Sequence, residues 1–266
     1  MPRPHGPSRR FVLGGLVLLL PACSRKGEAP AGLNVNGRFD VMGAYPPFGL
    51  GAPVKERTRQ GFFLTEAADA PPVSPAPLIP ISFLRPASPP ADPASVMTAT
   101  LVQEQPGIRL ATPGGSFVIG RRTRVPLLVS PFLRFRWRIQ DPGMPPETKD
   151  APVSLLVGFT GGEEAEGSAG TESLLPPHQR LLAIVWSGRG MDRGRFTVRG
   201  LQGRFLAQGG ERRFTWWEHG IDLSDLHRYL WPDVRREVVE TVFVAIALEA
   251  TRRQTITEIT GLVLSR

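Results

Sequence analysis

Only one cysteine, Cys23, occurs in the chain, so no intramolecular disulfide can form. The few histidines are equally limiting: His178, His219 and His227 show no metal-ligand spacing and have no cysteine partners, which argues against zinc. No Walker or Rossmann glycine fingerprint is present; Gly114-Gly115 and Gly188-Arg189-Gly190 read as turns. Ser187 lacks the G-x-S-x-G elbow, so a serine hydrolase has no support. No repeat with a period of about 20 to 50 residues is visible. A concentrated basic patch is missing as well. The formal charge is +8, and Arg3, Arg9 and Arg10 near the N-terminus supply three of those charges. The remaining cations are mostly arginines scattered among apolar residues, which fits solvated strand faces and argues against a nucleic-acid partner.

Residues 1–22 read as a lipoprotein signal peptide that ends at Cys23. A basic region closes at Arg9-Arg10, and the apolar run Phe11 to Leu20 is too short to span a bilayer as a helix. Ser8-Arg9-Arg10-Phe11-Val12-Leu13 resembles the twin-arginine export motif, with general secretory export as the alternative. Leu20-Pro21-Ala22-Cys23 resembles a bacterial lipobox, in which the cysteine becomes the lipid-bearing N-terminus. Lipid on Cys23 would anchor the chain to a membrane without a transmembrane helix. Ser24, where an aspartate would favour inner-membrane retention, makes the periplasmic side of the outer membrane the default location.

Residues 23–95 hold 13 of the 28 prolines, and proline removes ladder donors. This stretch reads as a Pro-rich tether in which only Arg38 to Met42 and Gly61 to Thr65 fit an edge strand. From residue 96 onward the texture is that of sheet. In Leu133 to Gln140 the side chains alternate: Leu133, Phe135, Trp137 and Ile139 against Arg134, Arg136, Arg138 and Gln140. Met97 to Val102, Ile108 to Thr112, Ser116 to Ile119, Arg195 to Arg199, Arg212 to Trp217 and Thr255 to Leu264 are further strands, with Gly261 at a bulge. Val153 to Phe159, Leu181 to Trp186 and Val242 to Leu248 are apolar on both faces, as in a sheet covered on both sides. Asp222 and Asp225 start one short helix with the apolar stripe Leu223, Leu226 and Leu230, and Pro232 stops it. The expectation is an all-β, jelly-roll-like antiparallel β-sandwich over residues 96–266 with one short helix.

Several segments, in order, resemble domain of unknown function family 3047. Phe135-Arg136-Trp137-Arg138-Ile139 matches its Trp-x-Trp-x-Val strand, and Lys149-Asp150-Ala151 its Asp-Asp-Ala-like turn. Ile184-Val185-Trp186-Ser187 matches its Tyr-Val-Trp-Ser strand; Trp217 and Asp222 to Arg228 echo a Trp followed by an Arg-Asp-x-x-x-Asp-x-Arg run. The resemblance implies an exported bacterial protein with a carbohydrate-binding-type sandwich, and it carries no established reaction. Glu249-Ala250-Thr251 stands where the family has an acidic Asp-Thr-Asp stretch.

The candidate ligand-binding residues follow from side-chain chemistry. Trp186 and Trp217 would stack on apolar sugar faces. Arg134, Arg136 and Arg138 form a cationic row suited to uronates, phosphates or an anionic cell wall. Asp150, Asp222 and Asp225 would contact a polar ligand or, at most, a calcium ion; no other cofactor is expected. The same carboxylates have ordinary work in turns and caps. The resulting expectation is a lipid-anchored envelope protein that binds a glycan or cell-wall component without catalysis. The alternatives are an accessory lipoprotein that binds another envelope protein, and a polysaccharide hydrolase or lyase, which would need two carboxylates across a cleft.

Overall fold

The structure, a computed structural model, describes residues 34, 36–66, 97–111, 117–140, 153–162, 175–187, 190–210, 214–248 and 255–266. Its strands are, in chain order, β1 (Phe39–Asp40), β2 (Phe62–Glu66), β3 (Met97–Val102), β4 (Gln105–Ala111), β5 (Phe117–Pro126), β6 (Phe132–Gln140) and β7 (Val153–Thr160). They continue with β8 (Arg180–Ser187), β9 (Phe196–Arg199), β10 (Gln202–Gly209), β11 (Trp217–Asp222), β12 (Glu240–Leu248) and β13 (Ile256–Ser265). Two α-helices are present among the described residues, α1 (Val54–Arg59) and α2 (Leu223–Leu230).

The alternation in β6 sets up the first layer. Leu133, Phe135, Trp137 and Ile139 are buried, while the arginines between them face outward. β6 lies in a sheet of order β11-β6-β13-β4-β3, with β1 also paired to β13. The second sheet has the order β2-β5-β12-β7-β8-β10-β9. Their inner faces form one core, in which Trp137 of the first sheet meets Trp186 of the second at 5.5 Å between ring centroids. The result is a jelly-roll-like β-sandwich. Its pairings are antiparallel except β8 with β10, which run parallel. The doubly apolar strands β7, β8 and β12 lie side by side in the second sheet, as their composition requires. Leu156, Ala183, Val185, Ala245 and Ala247 form a separate buried cluster away from the main core.

Gly261 adopts φ +64 where the β13–β6 register shifts, so the expected bulge is present. Gly158 answers to a different constraint. A Cβ there would sit 2.1 Å from the Phe243 ring, its cross-strand partner. Gly158→Ala is expected to destabilise the fold by about 1–3 kcal/mol through overpacking, read as a lower midpoint in urea unfolding. An unchanged midpoint would mean that Phe243 turns aside at no cost.

Within 23–95, the described residues 36–66 are part of the sandwich. β1 and β2 occupy the two pieces that fit an edge strand, and Phe39, Val41, Met42, Phe48 and Phe62 join the main core. Arg121 of β5 ties this segment down. It donates to the Asp40 carbonyl at 2.5 Å and the Gln60 carbonyl at 3.2 Å, and its guanidinium lies over the Phe39 and Phe62 rings. A Pro-containing stretch read as tether apart from these two pieces is thus drawn into the sandwich by burial and by one arginine.

Candidate functional site

At one side of the sandwich, edge strand β11 of the first sheet lies opposite the edge pair β9–β10 of the second. Helix α2 follows β11 directly. Asp222 caps it by accepting the Asp225 N–H at 2.9 Å, and Leu223, Leu226 and Leu230 bury its inner face. Between these elements opens a cleft of about 410 Å³ lined by Arg193, Phe196, Phe205, His219, Asp222 and Tyr229 among others. Phe196 and Tyr229 stack with centroids 6.0 Å apart, and they remain 45% and 58% exposed, so both rings are open to a ligand. The Arg228 guanidinium lies over Tyr229 at 4.9 Å.

His219 lines the cleft from its buried side. Its ring stacks on Phe135 at 5.1 Å, and Trp137 Nε1–H donates to its Nε2 at 3.0 Å. An indole N–H can only donate, so Nε2 is the acceptor and the neutral ring carries its proton on Nδ1. Burial, helped by the nearby Arg193 cation, lowers the His219 pKa from 6.5 to about 4. The imidazole is therefore neutral across the physiological range.

The structure distributes the sequence-derived candidates unevenly. Trp186 is only 2% exposed and is spent in the core against Trp137, so it cannot stack on a sugar. Trp217 is half-buried against the core, with the Arg193 guanidinium 5.9 Å from its ring. The arginine row is largely committed. Arg138 makes two hydrogen bonds to the buried Glu258, one at 2.8 Å through Nε, and Gln140 donates to the same carboxylate at 3.1 Å. Arg136 donates to Gln103, and Trp216 lies beneath the Arg136 and Arg138 guanidinium groups. Only Arg134 of the three is exposed. Asp225 is 3.0 Å from Arg228 and 3.8 Å from Arg236, neighbours that disfavour a bound cation. Asp150 lies outside the described residues, as does Cys23.

Of the predicted set, only Asp222 lines the cleft; it is the one carboxylate doing so among the described residues. No group of three or more potential metal ligands occurs among those residues. His219, Arg193, Phe196 and Tyr229 are additions that tertiary structure makes. One signal for Tyr229 is present in the sequence: it falls outside the apolar stripe of α2 and is therefore an exposed aromatic on a capped helix.

No family model matches the chain, and no curated protein matches it. Among solved structures, the family 12 xyloglucanase from Bacillus licheniformis aligns with a TM-score of 0.39 and 11% identity, over 64% of this chain and 86% of that one. A ligand complex of a family 12 xyloglucanase from Bacillus licheniformis gives 0.34 and 12% identity, over 66% of this chain and 78% of that one. Trichoderma harzianum endoglucanase 3 from family GH12 gives 0.33 and 8% identity, over 64% of this chain and 86% of that one. Likeness at this level assigns neither a family nor an activity to the chain.

Proposed function

We propose that this protein is a lipid-anchored cell-envelope protein, held through Cys23, whose sandwich binds a carbohydrate or cell-wall glycan in the β9–β10–β11–α2 cleft without cleaving it. The observation that carries the reading is the exposed Phe196–Tyr229 pair at a concave site that also offers Arg193, Asp222 and the neutral His219. Aromatic faces suit the apolar faces of sugars, and the polar groups suit hydroxyls. His219 Nδ1–H supplies a donor that does not titrate near neutrality. Acid–base glycoside cleavage calls for two carboxylates flanking the bond, and Asp222 has no second carboxylate in the described lining. A concave site with exposed rings also favours a glycan over a protein partner, which would call for a flat apolar patch.

The test is a thermal-shift titration of the full chain carrying Cys23→Ser, which cannot be lipidated, against soluble glycans and peptidoglycan fragments. A ligand that binds only the folded state raises the midpoint by linkage, about 2.7 kcal/mol at a hundredfold excess over Kd. One glycan class is expected to give a saturable shift. Tyr229→Ala should weaken it at least tenfold while the unliganded midpoint changes little, because Tyr229 is exposed. Absence of a shift with every glycan would reject the reading in favour of a protein partner, and release of reducing ends from a bound glycan would reject its non-catalytic part.

A further inference from the structure

A second cavity lies on the opposite edge of the second sheet, where β2, α1 and residues 47–49 meet β5. Its volume is about 330 Å³. Phe48, Phe62, Phe63, Leu64 and Ile119 make most of its wall. The ionisable lining among the described residues is two arginines, Arg57 and Arg122, with no carboxylate. The Arg57 Nε is buried and has no hydrogen-bond partner. The exposed Arg122 guanidinium lies over the Phe63 ring at 5.9 Å. The cavity's remaining polar side chain, Thr58, is already engaged, its hydroxyl donating to the Val54 carbonyl at 2.9 Å.

A buried, unpartnered guanidinium nitrogen is costly, because the group loses water without gaining an acceptor. An anion in the cavity would meet the charge of both arginines through their terminal guanidinium nitrogens, and guanidinium suits carboxylate and phosphate oxygens. The aromatic and aliphatic wall excludes a bare inorganic ion as the best fit, since most of the cavity would stay unfilled by it. The volume falls at the small end of ligand sites, which span about 300–1,000 Å³. Phe48 supports the wall from a backbone conformation unusual for a bulky side chain, with φ 55, and its ring packs edge-on to Phe62 at 6.0 Å.

We propose that this cavity binds a small amphiphile: a short acyl or single-ring apolar body carrying one anionic head, which Arg57 and Arg122 hold. The site is separate from the glycan cleft and does not depend on it.

Calorimetric titration of the full Cys23→Ser chain with octanoate and with octyl phosphate, below micelle formation, tests this. Octan-1-ol is the neutral control. One or both anions bind saturably, and the alcohol binds at least tenfold more weakly. Arg57→Met retains the stem that packs against Gly49 and weakens the anion at least tenfold. If Arg57→Met does not fold, the exposed Arg122→Gln carries the same test, with a loss of about threefold or more. The relative affinity of the two anions identifies the head group. Tyr229→Ala leaves octanoate binding unchanged, so failure of this proposal is distinguishable from failure of the glycan reading. No binding by either anion, or equal binding of octan-1-ol and octanoate, overturns it.

Discussion

Lowering the pH from 7 to 4 is expected to remove about 6 kcal/mol of folding stability, most of what a typical domain has. Two buried histidines are responsible. Each has its pKa lowered from 6.5 to about 4, His219 by burial and then Arg193, His227 by burial and then Arg180 and Arg236. The depressed value means that the folded state binds fewer protons than the unfolded chain below pH 6.5. Their contribution is therefore complete above about pH 6.5, falls with the slope of two protons as pH drops, and levels off below about pH 4. Each imidazole accounts for roughly 3 kcal/mol of the change, at about 1.36 kcal/mol per unit of pKa. His178, lowered mainly by burial, acts in the same direction. Urea unfolding at half-unit pH steps and constant ionic strength measures the slope. A flat profile between pH 6.5 and 4.5 would show that the histidines are solvated in the fold.

The two histidines separate on substitution. Both ring nitrogens of His227 are buried without a partner, between Phe159 and Trp231. His227→Leu removes two unsatisfied polar atoms from an apolar site. It is expected to leave neutral-pH stability equal or higher by about 1 kcal/mol and to halve the acid slope. His219 differs because it already holds the Trp137 indole N–H.

Trp137→Ala is the substitution expected to cost most, about 3–5 kcal/mol. The residue has no solvent exposure and contacts Phe135, Trp186 and His219, so it joins the two sheets behind the cleft. Its loss leaves a cavity across the core and an unpaired His219 Nε2. Trp137→Phe keeps most of the ring volume but removes the N–H, and a smaller loss of about 1–3 kcal/mol is expected. Equilibrium unfolding of the three chains measures both effects. Equal costs for Ala and Phe would assign the contribution to the hydrogen bond, not to packing.

Much of the sheet was legible because period-two alternation is a local property. β3, β6, β7, β8 and β13 lie within a residue or two of where their patterns put them, and Asp222 and Pro232 bound α2 as their chemistry requires. β10 was not legible, since Gly203 and Gly209 interrupt its pattern. Gly203 is small because Leu230 of α2 lies against it: an added Cβ would be 2.7 Å from the leucine. The strand expected over 212–217 begins instead at Trp217. Helix α1 has no buried residue, so no apolar stripe announced it.

Composition and periodicity by themselves determined an all-β chain, the outward row of arginines on β6 and the two-faced burial of β7, β8 and β12. The lipidation proposal at Cys23 rests on the resemblance of Leu20-Pro21-Ala22-Cys23 to a lipobox. Tertiary structure decided which aromatic residues are free. Alternation tells which side chains share a face, not which neighbour covers it, so Trp186 reads as a stacking candidate until Trp137 is seen packed against it. It also decided the cleft, because Arg193, Phe196, His219 and Tyr229 come from segments on two different sheets and a helix. Their meeting depends on strand order across the sandwich, a product of long-range pairing and burial that no local pattern encodes.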